Sequence, residues 1–170
     1  MCKFNFQIPL YKWNVTLLIG CSTEINGTTI MQELTKRGIQ DPVLSETLDN
    51  YSDKYQTAGD HFYNFAKRDI LILIGKVESG EQLFELLGHE IDHLVDRISQ
   101  FHKLDGTEAR AYIAGHVWSE LYRTRALMYL SDQEELHKVK EEEKILDEDK
   151  TKSPGPEPAS VTESQPQTAE

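Results

Sequence analysis

The stretch Gly88-His89-Glu90-Ile91-Asp92-His93-Leu94-Val95-Asp96 decides how the rest of the chain is read. It contains His-Glu-x-x-His. On a helix, His89 and His93 lie one turn apart and about 40° apart around the axis, so both imidazoles reach one metal ion. Glu90 points about 100° away from His89, where its carboxylate can meet a water held by that metal. Two imidazoles and an adjacent carboxylate base are the parts of a zinc hydrolase.

The flanking sequence supports the helix that this reading needs. Ser79 suits an N-cap, and Glu81, Gln82 and Glu85 suit the positive end of a helix over 79–102. Leu83, Leu87, Ile91, Leu94, Ile98 and Phe101 share one broad apolar face, and the two histidines point away from its centre. Upstream, Asp69-Ile70-Leu71-Ile72-Leu73-Ile74-Gly75 is the strongest strand signal in the chain. As a sheet edge bordering the cleft it could bind an extended substrate by strand addition, but its continuous apolar character also fits a central strand covered on both sides, which weakens that role. Downstream, Lys103–Gly106 breaks the chain and a second helix is expected from Thr107 to Leu130. In it Glu108, Tyr112, Gly115 and Ser119 share a face, with Gly115 and Ser119 small enough for close helix approach.

A catalytic zinc takes three protein ligands and leaves one position for water. Glu108, in the first turn of the second helix, is the leading third donor, because a helix–turn–helix return carries it back over the motif. Its competing use is a capping box, Asp105-x-x-Glu108. Asp105 is the best substitute donor. His102 lies too far along the motif helix, and His116 lies two turns beyond Glu108 on another face. Tyr112 is either an oxyanion partner or half-buried packing. Asp96 and Asp92 either orient a ligand imidazole, pair with a base such as Arg110, or stand in solvent. His61, beside Asp60 in an aromatic stretch over 51–68, reads as surface or packing.

The N-terminal segment reads as two strands. Phe4, Phe6 and Ile8 alternate with polar residues, Pro9 interrupts, and Tyr11–Ile19 resumes up to Gly20. A short helix is expected over Ile30–Arg37, capped by Thr28 or Thr29 and stopped by Gly38. Another is possible after Pro42. The formal net charge is -11 over 170 residues, but it is uneven. Residues 1–130 carry 17 acidic and 13 basic groups, whereas residues 131–170 carry 12 and 5. This divides the chain into a domain over 1–130 and an acidic tail over 131–170, with 133–150 able to extend the helix. The Pro, Ser, Thr, Gln and Glu content from Lys152 onward favours disorder and a solubilising role. No basic stripe exists, so nucleic acid is not an expected partner. No signal peptide, membrane span or disulfide pattern is visible, so a cytoplasmic location and no membrane partner are expected.

Gly88-His89-Glu90-Ile91-Asp92-His93, followed by Glu108-Ala109-Arg110-Ala111-Tyr112, resembles the gluzincin class of zinc metallopeptidases in minimal form. It is similar in particular to small phage and prophage proteins that pair a His-Glu-x-x-His-x-Val-Asp helix with a Glu-x-x-Ala-Tyr-x-x-Gly helix. The ImmA/IrrE-like peptidases are a more distant likeness. The resemblance spans roughly residues 10–125, with only the two helices specific, and His116 departs from it where an aromatic is expected. It implies an α+β, zincin-like fold with a small sheet packed on the motif helix and the helix that follows. It also implies one zinc ion on His89, His93 and Glu108, Glu90 as general base, and a peptide or protein substrate. Two readings from other classes compete: a zinc-binding regulatory or interaction module that keeps the fold but hydrolyses little, and a toxin–antitoxin or anti-repressor partner whose acidic tail mediates protein contacts.

Overall fold

The two long apolar runs of the sequence become the central strands, and the alternating Phe4–Ile8 segment becomes an edge. The computed structural model describes residues 1–52 and 59–129, all within one compact unit, Met1–Gln133. The expected tail, with its helical extension over 133–150, lies outside the described residues. Strand β1 (Cys2–Ile8) and strand β2 (Trp13–Cys21) pair antiparallel, with Phe6 opposite Val15 and Ile8 opposite Trp13. Helix α1 (Thr23–Lys36) and helix α2 (Val43–Asn50) follow, then strand β3 (Gly59–Asn64) and strand β4 (Asp69–Gly75). Helix α3 (Gly80–His102) and helix α4 (Thr107–Arg123) complete the α+β fold, ahead of a short 3₁₀ turn at Ala126–Met128.

The sheet order is β1-β2-β4-β3. β2 and β4 run parallel in its centre, and β3 pairs antiparallel with β4 on the outside. The Ile70–Ile74 run is therefore a central strand, and the edge strand beside it is β3. The apolar run is explained by its two neighbouring layers. Ile70, Ile72 and Ile74 pack with Val15, Leu17 and Ile19 against α3 and α4. Leu71 and Leu73 point the other way, with Leu18, onto Ile30 and Leu34 of α1. Each such fully buried aliphatic side chain contributes about 1.5–3 kcal/mol by leaving water. At Gly20 the β2–β4 register shifts, which places Cys21 on the α1 face although Ile19 faces α3. Gly20 has φ +79°, and a Cβ there would overlap the Tyr129 hydroxyl, so only glycine suits the bulge.

Two helix boundaries differ from the sequence expectation, and so does one packing contact. α1 begins at Thr23 rather than near residue 30, with a break at Asn26. The Asn26 side chain accepts from the Ser22 N–H (3.1 Å) and donates to the Gly20 carbonyl (3.2 Å), and these bonds tie the early turn to the end of β2. α4 stops at Arg123 instead of reaching Leu130, and Arg125 adopts a left-handed conformation at φ 61°. The close approach expected at Gly115 does not occur: Gly115 is exposed, and α4 packs through Ile113, Val117 and Leu121. By contrast α3 matches closely. Ser79 Oγ accepts the Gln82 N–H at 3.1 Å, and Lys103 ends the helix at φ 52°. Phe101 is the exception on its apolar face, since it remains exposed and stacks on Phe65 at 5.8 Å.

Candidate metal centre

The helical period of α3 sets up the site. Its core stripe of Leu83, Leu87, Ile91, Leu94 and Ile98 is held against the sheet, which turns His89 and His93 outward. Their Nε2 atoms lie 3.2 Å apart, and the rings meet edge-on with centroids 4.6 Å apart. That separation suits an imidazole–imidazole hydrogen bond. It also suits two ligands on one tetrahedral zinc, where N–Zn bonds of about 2.0–2.1 Å place the nitrogens roughly 3.3 Å apart. The histidine pair thus fits the implied metal.

Glu90 points toward β3. It is 2% exposed, so its carboxylate needs a polar partner in place of water. His61 of β3 provides one, with Nδ1 2.6 Å from Glu90 Oε2. The His61 ring also lies against His93, centroids 4.5 Å apart. Gly59 completes the fit. A Cβ at that position would stand 2.8 Å from Glu90 Oε1 and 3.1 Å from its Cγ. His61 is therefore neither loose surface nor simple packing; it touches both the expected base and an expected ligand. Nothing local in the sequence announces this, because the contact joins residues 29 positions apart. Behind the strand, Asp60 has a buried Oδ2 without a hydrogen-bond partner. Burial, and then the nearby charge of Glu90, push its carboxyl above the usual range.

The other side of the pair is open. Glu108 is exposed in the first turn of α4. Among the described residues, no three His, Cys, Asp or Glu side chains converge as a group able to hold a metal. The histidine pair therefore fits the metal, and Glu108 does not join it in this conformation. The capping box is not formed either, since Gly106 is the N-cap of α4 and no side chain caps it. Asp105 is also exposed.

Two rival donors are engaged elsewhere: His116 Nε2 donates to the Gln7 carbonyl at 2.9 Å, and His102 Nε2 accepts from Trp13 Nε1 at 3.1 Å. Tyr112 is exposed and stacks on His116 with centroids 6.3 Å apart. Asp96 pairs with Arg110, one of its expected uses, and Asp92 is exposed. Because Asp96 nearly eclipses His89 seven residues earlier, this ion pair places α4 on the side of the histidines opposite β3.

The chain matches no protein-family model, no curated protein and no solved structure. Among the described residues, no helix is long and apolar enough to cross a membrane.

Proposed function

We propose that the chain is a zinc-dependent metallopeptidase of gluzincin-like, phage or prophage type. The observation that carries this reading is the His89–His93 pair, with Nε2 atoms 3.2 Å apart, beside the buried carboxylate of Glu90. In this reading His89 and His93 hold the ion and Glu108 is the third donor. A bound zinc supplies Lewis-acid polarisation and makes water a nucleophile near neutral pH. Glu90 takes the proton from the attacking water and passes it to the leaving amine of a peptide or protein substrate. Tyr112 is a weaker candidate for steadying the developing oxyanion. The reading carries a cytoplasmic setting, in keeping with two free cysteines, Cys2 and Cys21.

One observation favours a second reading, a zinc-binding regulatory or interaction module with little hydrolysis: Glu108 stands away from the pair, and no three-donor group forms among the described residues. The Glu90→Gln variant separates the two. As peptidase, the wild type binds one zinc and cleaves members of a peptide library. The variant then keeps its zinc and loses cleavage by about 10²–10⁴-fold, the usual contribution of a general base. A wild type that holds one zinc and cleaves nothing fits the second reading.

A further inference from the structure

We propose that His61 is the positioning residue for Glu90, and that the edge strand β3 is shaped to hold that one carboxylate. The consequence for turnover rests on the metallopeptidase reading; the contact itself does not. On α3, Glu90 and Arg97 are seven residues apart and so lie on nearly one line along the helix. On β3, positions 59, 61 and 63 share one face of the strand. The two lines meet in order. Gly59 lies under Glu90 Oε1, His61 Nδ1 bonds Oε2 at 2.6 Å, and Arg97 stacks over the Tyr63 ring at 5.5 Å.

Glycine leaves the space that the carboxylate fills, and the imidazole two residues on fixes its rotation. The His61 ring also lies beside the His93 ring, centroids 4.5 Å apart, but its one hydrogen bond in this pair of contacts goes to Glu90. A carboxylate that is to serve as general base has to be a hydrogen-bond acceptor, and the proposal therefore assigns the donor role in this contact to Nδ1 of His61. A positioned base matters because a displacement of about 1 Å in a reacting group can cost 10²-fold in rate.

The test uses the full chain. In His61→Leu the hydrogen bond is lost. The turnover number should fall about 10²-fold, while KM and zinc affinity, the latter measured by chelator competition, stay at wild-type values. His61→Asn returns an N–H donor near the former Nδ1 position and should recover most of that loss. Independently of activity, long-range ¹H–¹⁵N correlation spectra should show His61 in its Nδ1–H tautomer, and Glu90→Ala should shift that nitrogen.

Zinc affinity falling in parallel with turnover overturns the proposal, because His61 would then be a ligand. Unchanged turnover in His61→Leu, or an Nε2–H tautomer in the wild type, overturns it as well. A zinc-loaded wild type that cleaves nothing defeats the peptidase reading alone. The tautomer, and its response to Glu90→Ala, then still decide whether His61 holds Glu90, and they allow that decision even if His61→Leu fails to fold.

Discussion

Two glutamates, Glu33 and Glu90, are buried to a similar degree, 8% and 2% exposed, yet they are partnered in opposite ways. Glu33 is met by Lys3 Nζ at 2.7 Å and Arg37 Nη1 at 2.6 Å. Arg37 continues to Thr16 Oγ1 at 2.8 Å and Asp69 Oδ1 at 3.0 Å. This network ties α1 to β1, β2 and β4. Glu90 is met by an imidazole through one oxygen. A guanidinium is permanently charged and holds its acids in fixed geometry. An imidazole that donates one hydrogen bond orients a carboxylate without that lasting counter-charge. The difference separates a buried acid held among fixed cations from one that lies next to the histidine pair, where the proposed metallopeptidase needs a proton acceptor.

The comparison breaks most visibly at Arg37. Arg37→Ala leaves Glu33 and Asp69 without their shared cation and should destabilise the fold by about 3–5 kcal/mol, the usual result of removing one partner from a buried pair. Urea denaturation measures it, and a loss below about 1 kcal/mol, the scale of a surface pair, would remove the structural half of the contrast. Gly59→Ala acts on the other half. The added methyl must displace Glu90 or bend the edge strand, with an overpacking cost of about 1–3 kcal/mol. On the proposed metallopeptidase reading, peptide hydrolysis by the folded fraction should fall with it. Stability and rate both unchanged would mean that β3 does not confine Glu90.

Acid sharpens the contrast with a smaller effect. Burial pushes the Glu33 carboxyl up, but the hydrogen bonds and charges of Lys3 and Arg37 outweigh it, and the group stays below its ordinary range. With the folded value depressed, the unfolded chain binds the proton more readily. Stability from Glu33 is therefore complete above the unfolded value, roughly pH 4.3, and is lost as pH falls through the folded one. Denaturation midpoints measured between pH 6 and 3 should drop in the wild type, and Glu33→Gln should flatten that drop.

The parts of this molecule legible in the sequence are those written within one or two helical turns. Ser79, the α3 core stripe and the His89–Glu90–His93 spacing all follow from a 3.6-residue period, and α3 forms as that period requires. The two-strand start and the apolar β4 run follow from strand patterning. Residue pattern alone does not give sheet order. Whether β4 was central or a border depended on β3 pairing outside it, and β3 lies in a stretch of aromatics without clear period. His61 is illegible in the sequence for the same reason, since its meaning comes entirely from the strand–helix contact with Glu90. The residues after Arg123 continue to suit a helix up to Leu130, but Arg125 turns left-handed, and Ala126 and Tyr129 are buried beyond it.

Glu108 is where sequence and fold stand furthest apart, and its replacement should have the smallest effect on stability. It is exposed in the first turn of α4 and closes no capping box. Glu108→Ala should therefore change folding stability by no more than about 0.5 kcal/mol, as for an ordinary surface position. Zinc affinity is the sensitive measurement. Loss of an outer-shell partner typically costs 10–100-fold, and loss of a direct ligand should exceed about 100-fold. A loss of that size with unchanged stability means that Glu108 joins the pair only when metal is bound, so the α4 side of the site is completed by the ion and the β3 side by the fold. Wild-type affinity in Glu108→Ala would leave His89 and His93 as a two-donor site, and the contrast between the pre-formed β3 side and the open α4 side would then be permanent.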